Sequence, residues 1–158
     1  MLWQTVQDAL EAWFREDTVL ATLLTHKQGD ADVVDIAQGR TPEMMPPCMR
    51  IHRGPQGVTP VTARRFDDLP AQIVVLIDLH AHDSVIRDDA LSAQAAWGAL
   101  AQLERATLDS LARFFARERN LTAILGAPFA AEVAAITPTG EAYYPAVASR
   151  ITIMLNKE

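Results

Sequence analysis

The sequence predicts an α+β fold: a mostly antiparallel sheet with an N-terminal helix and one long helix packed on one face. Three observations lead there. An apolar stripe at helical spacing opens the chain. A continuous apolar run, Ile73 to Ile77, stands near its middle. Strand-like segments fall into two groups, before and after one long helical stretch. Separated runs of strands and helices belong to α+β architectures rather than to alternating βαβ units.

The elements follow in order. Leu2, Val6, Leu10 and Trp13 recur at helical spacing, with Ala9 and Phe14 widening the stripe and Gln4, Gln7, Asp8 and Glu11 on the other side. Asp17 is placed to cap a second short helix, Thr18 to Leu24. Gln28-Gly29-Asp30 breaks the helical pattern, and Val33 to Ala37 reads as a short strand. Gly39 to Pro47, with three prolines, is a loop. Cys48 to Arg53 alternates like a half-buried strand, Gly54 to Gly57 is a turn, and Val58 to Phe66 is an edge or bulged strand because of Pro60. Gln72 to His80 is the clearest strand, and its unbroken apolar centre places it inside the sheet.

A long helix is expected within Asp88 to Asn120. Its apolar stripe is Ala96, Leu100, Leu103, Thr107, Leu111 and Phe114, flanked by Leu108 and Phe115. Arg105, Asp109 and Arg113 stand four apart on the opposite side, as on a solvated face. Gly126-Ala127-Pro128 is a break. Ala131 to Thr137 alternates as a strand, with Glu132, Ala134 and Ile136 against Val133 and Ala135, and Pro138 to Glu141 turns. Ala146 to Leu155 closes the chain as a strand with Val147, Ile151, Ile153 and Leu155 on one face.

Bulk properties agree with one domain over residues 1–158. The chain is 49% hydrophobic and 22% charged, a composition able to bury a core without disulfides or metals. Its net charge of −6 argues against a protein that grips DNA by neutralising phosphates, though not against one that DNA passes through. The single cysteine, Cys48, excludes an intrachain disulfide, and it reads as a small buried residue. No signal peptide or membrane span is expected.

Signatures of chemistry are few. The sequence holds no Gly-x-Gly-x-x-Gly, no Walker A lysine loop and no Gly-x-Ser-x-Gly elbow. Asp78, His80, His82 and Asp83 form the one cluster with metal-ligand character, since histidines two apart on a strand share a face. A strand running out into a polar loop accounts for the same residues, so neither metal nor cofactor is assigned. Arg50, Arg53, Arg64 and Arg65 make a candidate basic patch on a hairpin, better suited to subunit salt bridges than to nucleic acid.

The order of elements resembles the tail terminators, or tail-completion proteins, of long-tailed bacteriophages. The resemblance lies in an N-terminal amphipathic helix followed by "VVDIAQGRTPEMMPPCMRIHRG", with a short strand, a Pro-rich loop and a strand starting just after Pro-Pro. The central "QIVVLIDLHAHDS", the helix holding "LAQLERATLDSLARFF" and the closing "AVASRITIMLNKE" extend it over nearly the whole chain. The likeness is one of pattern rather than of an invariant motif. It implies a structural protein of the virion neck, assembled in the host cytoplasm and without catalytic residues. Such a protein forms a ring, typically a hexamer, that caps the tail tube, ends its polymerisation and joins the head connector. DNA passes through the bore without specific binding. The extended helix from Ala90 to Arg119 and the stretch from Ala127 to Glu141 depart from the pattern and leave a neighbouring head-completion adaptor as the alternative. A small metal-dependent hydrolase using His80 and His82 is the remote one.

If subunits form a ring, loops on the rigid scaffold are the expected contacts. Met44 and Met45 in the Pro-rich loop, with Arg53, Val58, Arg64 and Arg65 on the following hairpin, are the candidate interface residues. They combine apolar side chains with charges, a mixture common at subunit contacts.

Overall fold

The fold is seen in a computed structural model, which describes residues 2–39, 47–54, 72–81, 90–138 and 148–158. Helix α1 spans Leu2–Glu16 and buries Val6, Leu10 and Phe14, the centre of the expected stripe. Gln7, expected on the polar side, is buried instead. Its Nε2 donates to the Ile51 carbonyl at 3.1 Å, so the helix docks through a polar contact as well as an apolar one. Helix α2 follows over Thr18–Leu23, and the Asp17 carboxylate caps it by accepting from the Val19 and Leu20 amides.

The chain then forms a hairpin that the apolar pattern does not announce. Strand β1, Thr25–Gln28, pairs antiparallel with β2, Ala31–Val34, around a Gly29-Asp30 loop in which Gly29 takes a φ of 65°. The strand expected from Val33 to Ala37 is therefore two strands. Asp35 separates β2 from β3, Ile36–Gln38, because its backbone bonds in both directions: its amide to Leu24 and its carbonyl to the Met49 amide.

The main sheet has five strands in the order β3-β4-β5-β7-β6. Strand β4 is Cys48–Arg53, β5 is Gln72–His80, β6 is Phe129–Pro138 and β7 is Ala148–Lys157. Only the β3–β4 pair is parallel, so the sheet is mostly antiparallel, as the sequence predicts. Strand β5 lies at the centre, and seven of its nine residues are buried. That explains its continuous apolar run, since both of its faces are covered. The first four residues of β4 are also buried, more than the half-burial its alternation suggests.

One face of the sheet carries Met49, Ile51, Ile73, Val75, Ile77, Leu79, Ile151, Ile153 and Leu155 and forms the core with the helices. Helix α3, Ala90–Ala116, brings Leu100, Leu103, Thr107, Leu111 and Phe114 to that core, the stripe expected of it. The long helix ends sooner than expected. Arg117 leaves the helical conformation (φ −84°, ψ 79°), and α4, Glu118–Leu125, resumes at a new angle that buries Leu121 and Leu125. Gly126, at a φ of 70°, ends α4 as a left-handed cap, and β6 begins three residues later. Helices α3 and α4 thus connect β5 to β6, with β7 inserted antiparallel between them.

Candidate functional site

The face of the sheet away from the helices holds a line of charges. Cross-strand register sets Arg50 of β4, Asp78 of β5 and Arg150 of β7 in one row. Arg150 Nε and Nη2 donate to the two Asp78 oxygens at 2.7 and 3.0 Å, and His52 Nε2 lies 2.7 Å from Asp78 Oδ2. Arg50 Nη1 donates to Asp35 Oδ1 at 2.6 Å. Burial alone raises the Asp78 carboxyl, but the hydrogen bonds and charges of His52 and Arg150 outweigh it and hold the group well below the usual carboxylate range. The same bond to Asp78 raises the Arg150 guanidinium.

This arrangement ties three neighbouring strands together through one carboxylate. Asp78 is already held by a guanidinium fork and an imidazole, the geometry of a strong charge-assisted pair. It therefore has little left to offer a metal ion or a substrate proton. Strand β5 ends at His80, and His82 and Asp83 lie outside the described residues. Among the described residues, no group of three His, Cys, Asp or Glu side chains is placed to hold a metal. Cys48, buried as expected, has its thiol pushed up to about 12 by burial, with Asp35 and Asp78 adding to the shift against Arg50. At neutral pH it is a thiol, not a nucleophilic thiolate.

The candidate basic patch is not a patch as drawn. Arg50 is buried against Asp35 and is unavailable to a partner. Arg53 ends β4 opposite Val75 and is exposed. Met44, Met45, Val58, Arg64 and Arg65 lie outside the described residues. Arg105, Asp109 and Arg113 are exposed, as expected of a solvated face. Arg113 reaches across to Asp17 at 2.6 Å and ties α3 to the start of α2.

Two further features were not picked out from the sequence. An open cleft of about 510 Å³ lies where the α1–α2 and α3–α4 junctions meet. Of its charged groups besides Glu16, Asp17 holds Arg113, and the Arg117 guanidinium sits 5.2 Å from the Trp13 ring centroid. The second feature is the sheet edge. Strand β6 is the outermost strand, and every residue from Glu132 to Pro138 is exposed.

A register shift between Val133 and Ala135 sets the character of that edge. It puts Val133 opposite Ile153 and Ile136 opposite Ile151. Both therefore lie on the helix side of the sheet, where strict alternation would have separated them. Each is 44% exposed. The signal in the sequence was the composition of the strand, apolar or small throughout with Glu132 as its single charge.

Comparison of the chain with protein-family models, with curated proteins and with solved structures finds no match.

Proposed function

We propose that the chain is a structural assembly subunit of a phage neck. In this reading copies form a ring, of six by the resemblance, that caps the tail tube, stops its polymerisation and presents a surface to the head connector. The observation that carries the reading is the β6 edge: ten residues long, exposed from Glu132 onward and bearing Val133 and Ile136 uncovered. Long apolar edges are templates for pairing with another chain, and proteins that stay alone blunt them with charges. The observed order of elements also suits the resemblance: a helix, a short strand, a central buried strand, a long covering helix and a closing strand.

Electron microscopy of the purified protein, alone and mixed with tail tube protein, tests the proposal. The expected result is closed rings of uniform diameter, and tubes that bear one such ring at one end and grow no further. A protein that stays monomeric at every concentration and leaves tube growth unchanged would overturn it.

A further inference from the structure

The cleft at the α1–α2 and α3–α4 junctions holds positive charge that the fold leaves open. Trp13 lines it and is fixed in place. Its Nε1 donates to the Ser110 carbonyl and hydroxyl at 3.1 and 3.0 Å, and its ring meets Phe114 edge to face. The Arg117 guanidinium lies over the Trp13 ring, and no acceptor among the described residues bonds it. Arg113, four residues earlier, gives Nη2 to Asp17 and has Nε and Nη1 left over among the described residues. Asp17, by contrast, is saturated. Its Oδ1 accepts from the Val19 and Leu20 amides and its Oδ2 from Arg113, and its side chain is 7% exposed. Glu16 is the other carboxylate of the lining, exposed at the end of α1. The folding of α4 does not account for Arg117. It stands where that helix begins, a position that favours a side chain able to accept from helix amides. It makes no such bond, and its charge adds to the positive end of the helix.

We propose that this cleft binds an acidic segment of a partner protein, with one carboxylate seated on Arg117 and Arg113 and a neighbouring apolar side chain against Val19. The proposal is independent of the ring reading. A guanidinium over an aromatic face keeps its N–H donors for a planar anion, and a carboxylate matches that fork. The volume of about 510 Å³ suits a few side chains, and the open form of the cleft admits a chain segment. Val19, 57% exposed, supplies the apolar contact. Charge selects the ligand. The two carboxylates and two guanidinia of the lining sum to zero, so the cleft accepts the single charge of a carboxylate more readily than the nearly double charge of a phosphate. A cationic ligand finds Glu16 alone, because Asp17 is already satisfied.

The test uses the full chain and the fluorescence anisotropy of a short labelled peptide of alternating Glu and Leu. A peptide of alternating Lys and Leu is the control, and free glutamate and inorganic phosphate are competitors. The Glu–Leu peptide is expected to bind and the Lys–Leu peptide not. Arg117→Ala is expected to weaken binding about tenfold, the loss of one charge-assisted bond. Arg117→Lys keeps the charge without the fork and is expected to recover part of that loss. Glu16→Gln removes the open like charge and is expected to tighten binding about threefold. All three variants are expected to keep the wild-type circular dichroism. Absence of binding, or equal binding by the wild type and Arg117→Ala, would overturn the proposal. A preference for the Lys–Leu peptide that Glu16→Gln abolishes would assign the cleft to cations and overturn it too. Displacement of the peptide by phosphate at a lower concentration than glutamate would do the same, by making phosphate the preferred anion.

Discussion

Asp78 binds three strands together through one carboxylate. It sits on β5 and holds His52 of β4 and Arg150 of β7, and its side chain is 7% exposed. Removing one member of a buried pair leaves the other charge uncompensated, so Asp78→Ala is expected to cost about 3 kcal/mol in urea denaturation. The folded-state carboxyl is depressed, so its contribution is complete above the unfolded value near 3.9 and is lost as pH falls through the lower folded value. Between pH 5 and 2 the wild type is therefore expected to lose more stability than Asp78→Asn; parallel pH profiles would remove Asp78 from the acid response. Gly54 is a second sensitive position. Its amide donates to the Val74 carbonyl at 2.9 Å, and a Cβ there would overlap the Val74 side chain. Gly54→Ala is expected to cost about 1–3 kcal/mol through overpacking, and an unchanged melting temperature would show that Val74 yields freely.

Helix packing is where elements acquire their energies. Leu103 is 2% exposed on α3 and belongs to the same core as Val75 and Ile77 of β5. Truncation to Ala is expected to cost about 2–5 kcal/mol. A change near zero by calorimetry would mean that α3 does not pack on the sheet through this stripe. At the junction of α1 and α2, Asp17 has two tasks: it caps α2 and it pairs with Arg113. The cap is the larger, because Arg113 is 57% exposed and exposed ion pairs contribute little. Asp17→Ala should therefore cost about 1 kcal/mol, while Asp17→Asn, an equally good cap, should cost much less. Equal losses in the two variants would assign the effect to the ion pair. The cap was legible because Asp before an apolar helical run is a local signal. The break at Arg117 was not. No Gly or Pro marks it, and the bend brings Leu121 and Leu125 into the core.

Across the whole molecule, the polarity of the chain matters more than any one contact. Strand β3 ends the sheet on one side and β6 on the other, and in the proposed ring such unlike ends would meet head to tail. The loops expected to reinforce that meeting include Arg64 and Arg65. Reversing both charges is expected to weaken ring or tube association by sedimentation while circular dichroism stays unchanged. Intact association would place the contact elsewhere, first on the exposed Arg105–Asp109–Arg113 face. Loss of folding with association would assign the two arginines to the domain itself.

The sequence by itself determined the α+β class, the central position of β5, the buried stripe of α3 and the inward face of β7. Each is written in local periodicity: 3.6 for helices, 2 for a strand covered on one face, and an unbroken apolar run for one covered on both. Of the residues it singled out, it placed Cys48 correctly in the interior. The tertiary structure decided the rest. Arg50 reads as surface charge until Asp35, fifteen residues away, is folded against it. Asp78 reads as a metal ligand until antiparallel register brings Arg150 beside it across 72 residues of chain. Ile136 reads as facing away from Val133 until the bulge in β6 puts both on one side of an uncovered edge. Periodicity reports how a segment meets its own neighbours, whereas partners distant in sequence are chosen by register and packing, which no local pattern encodes.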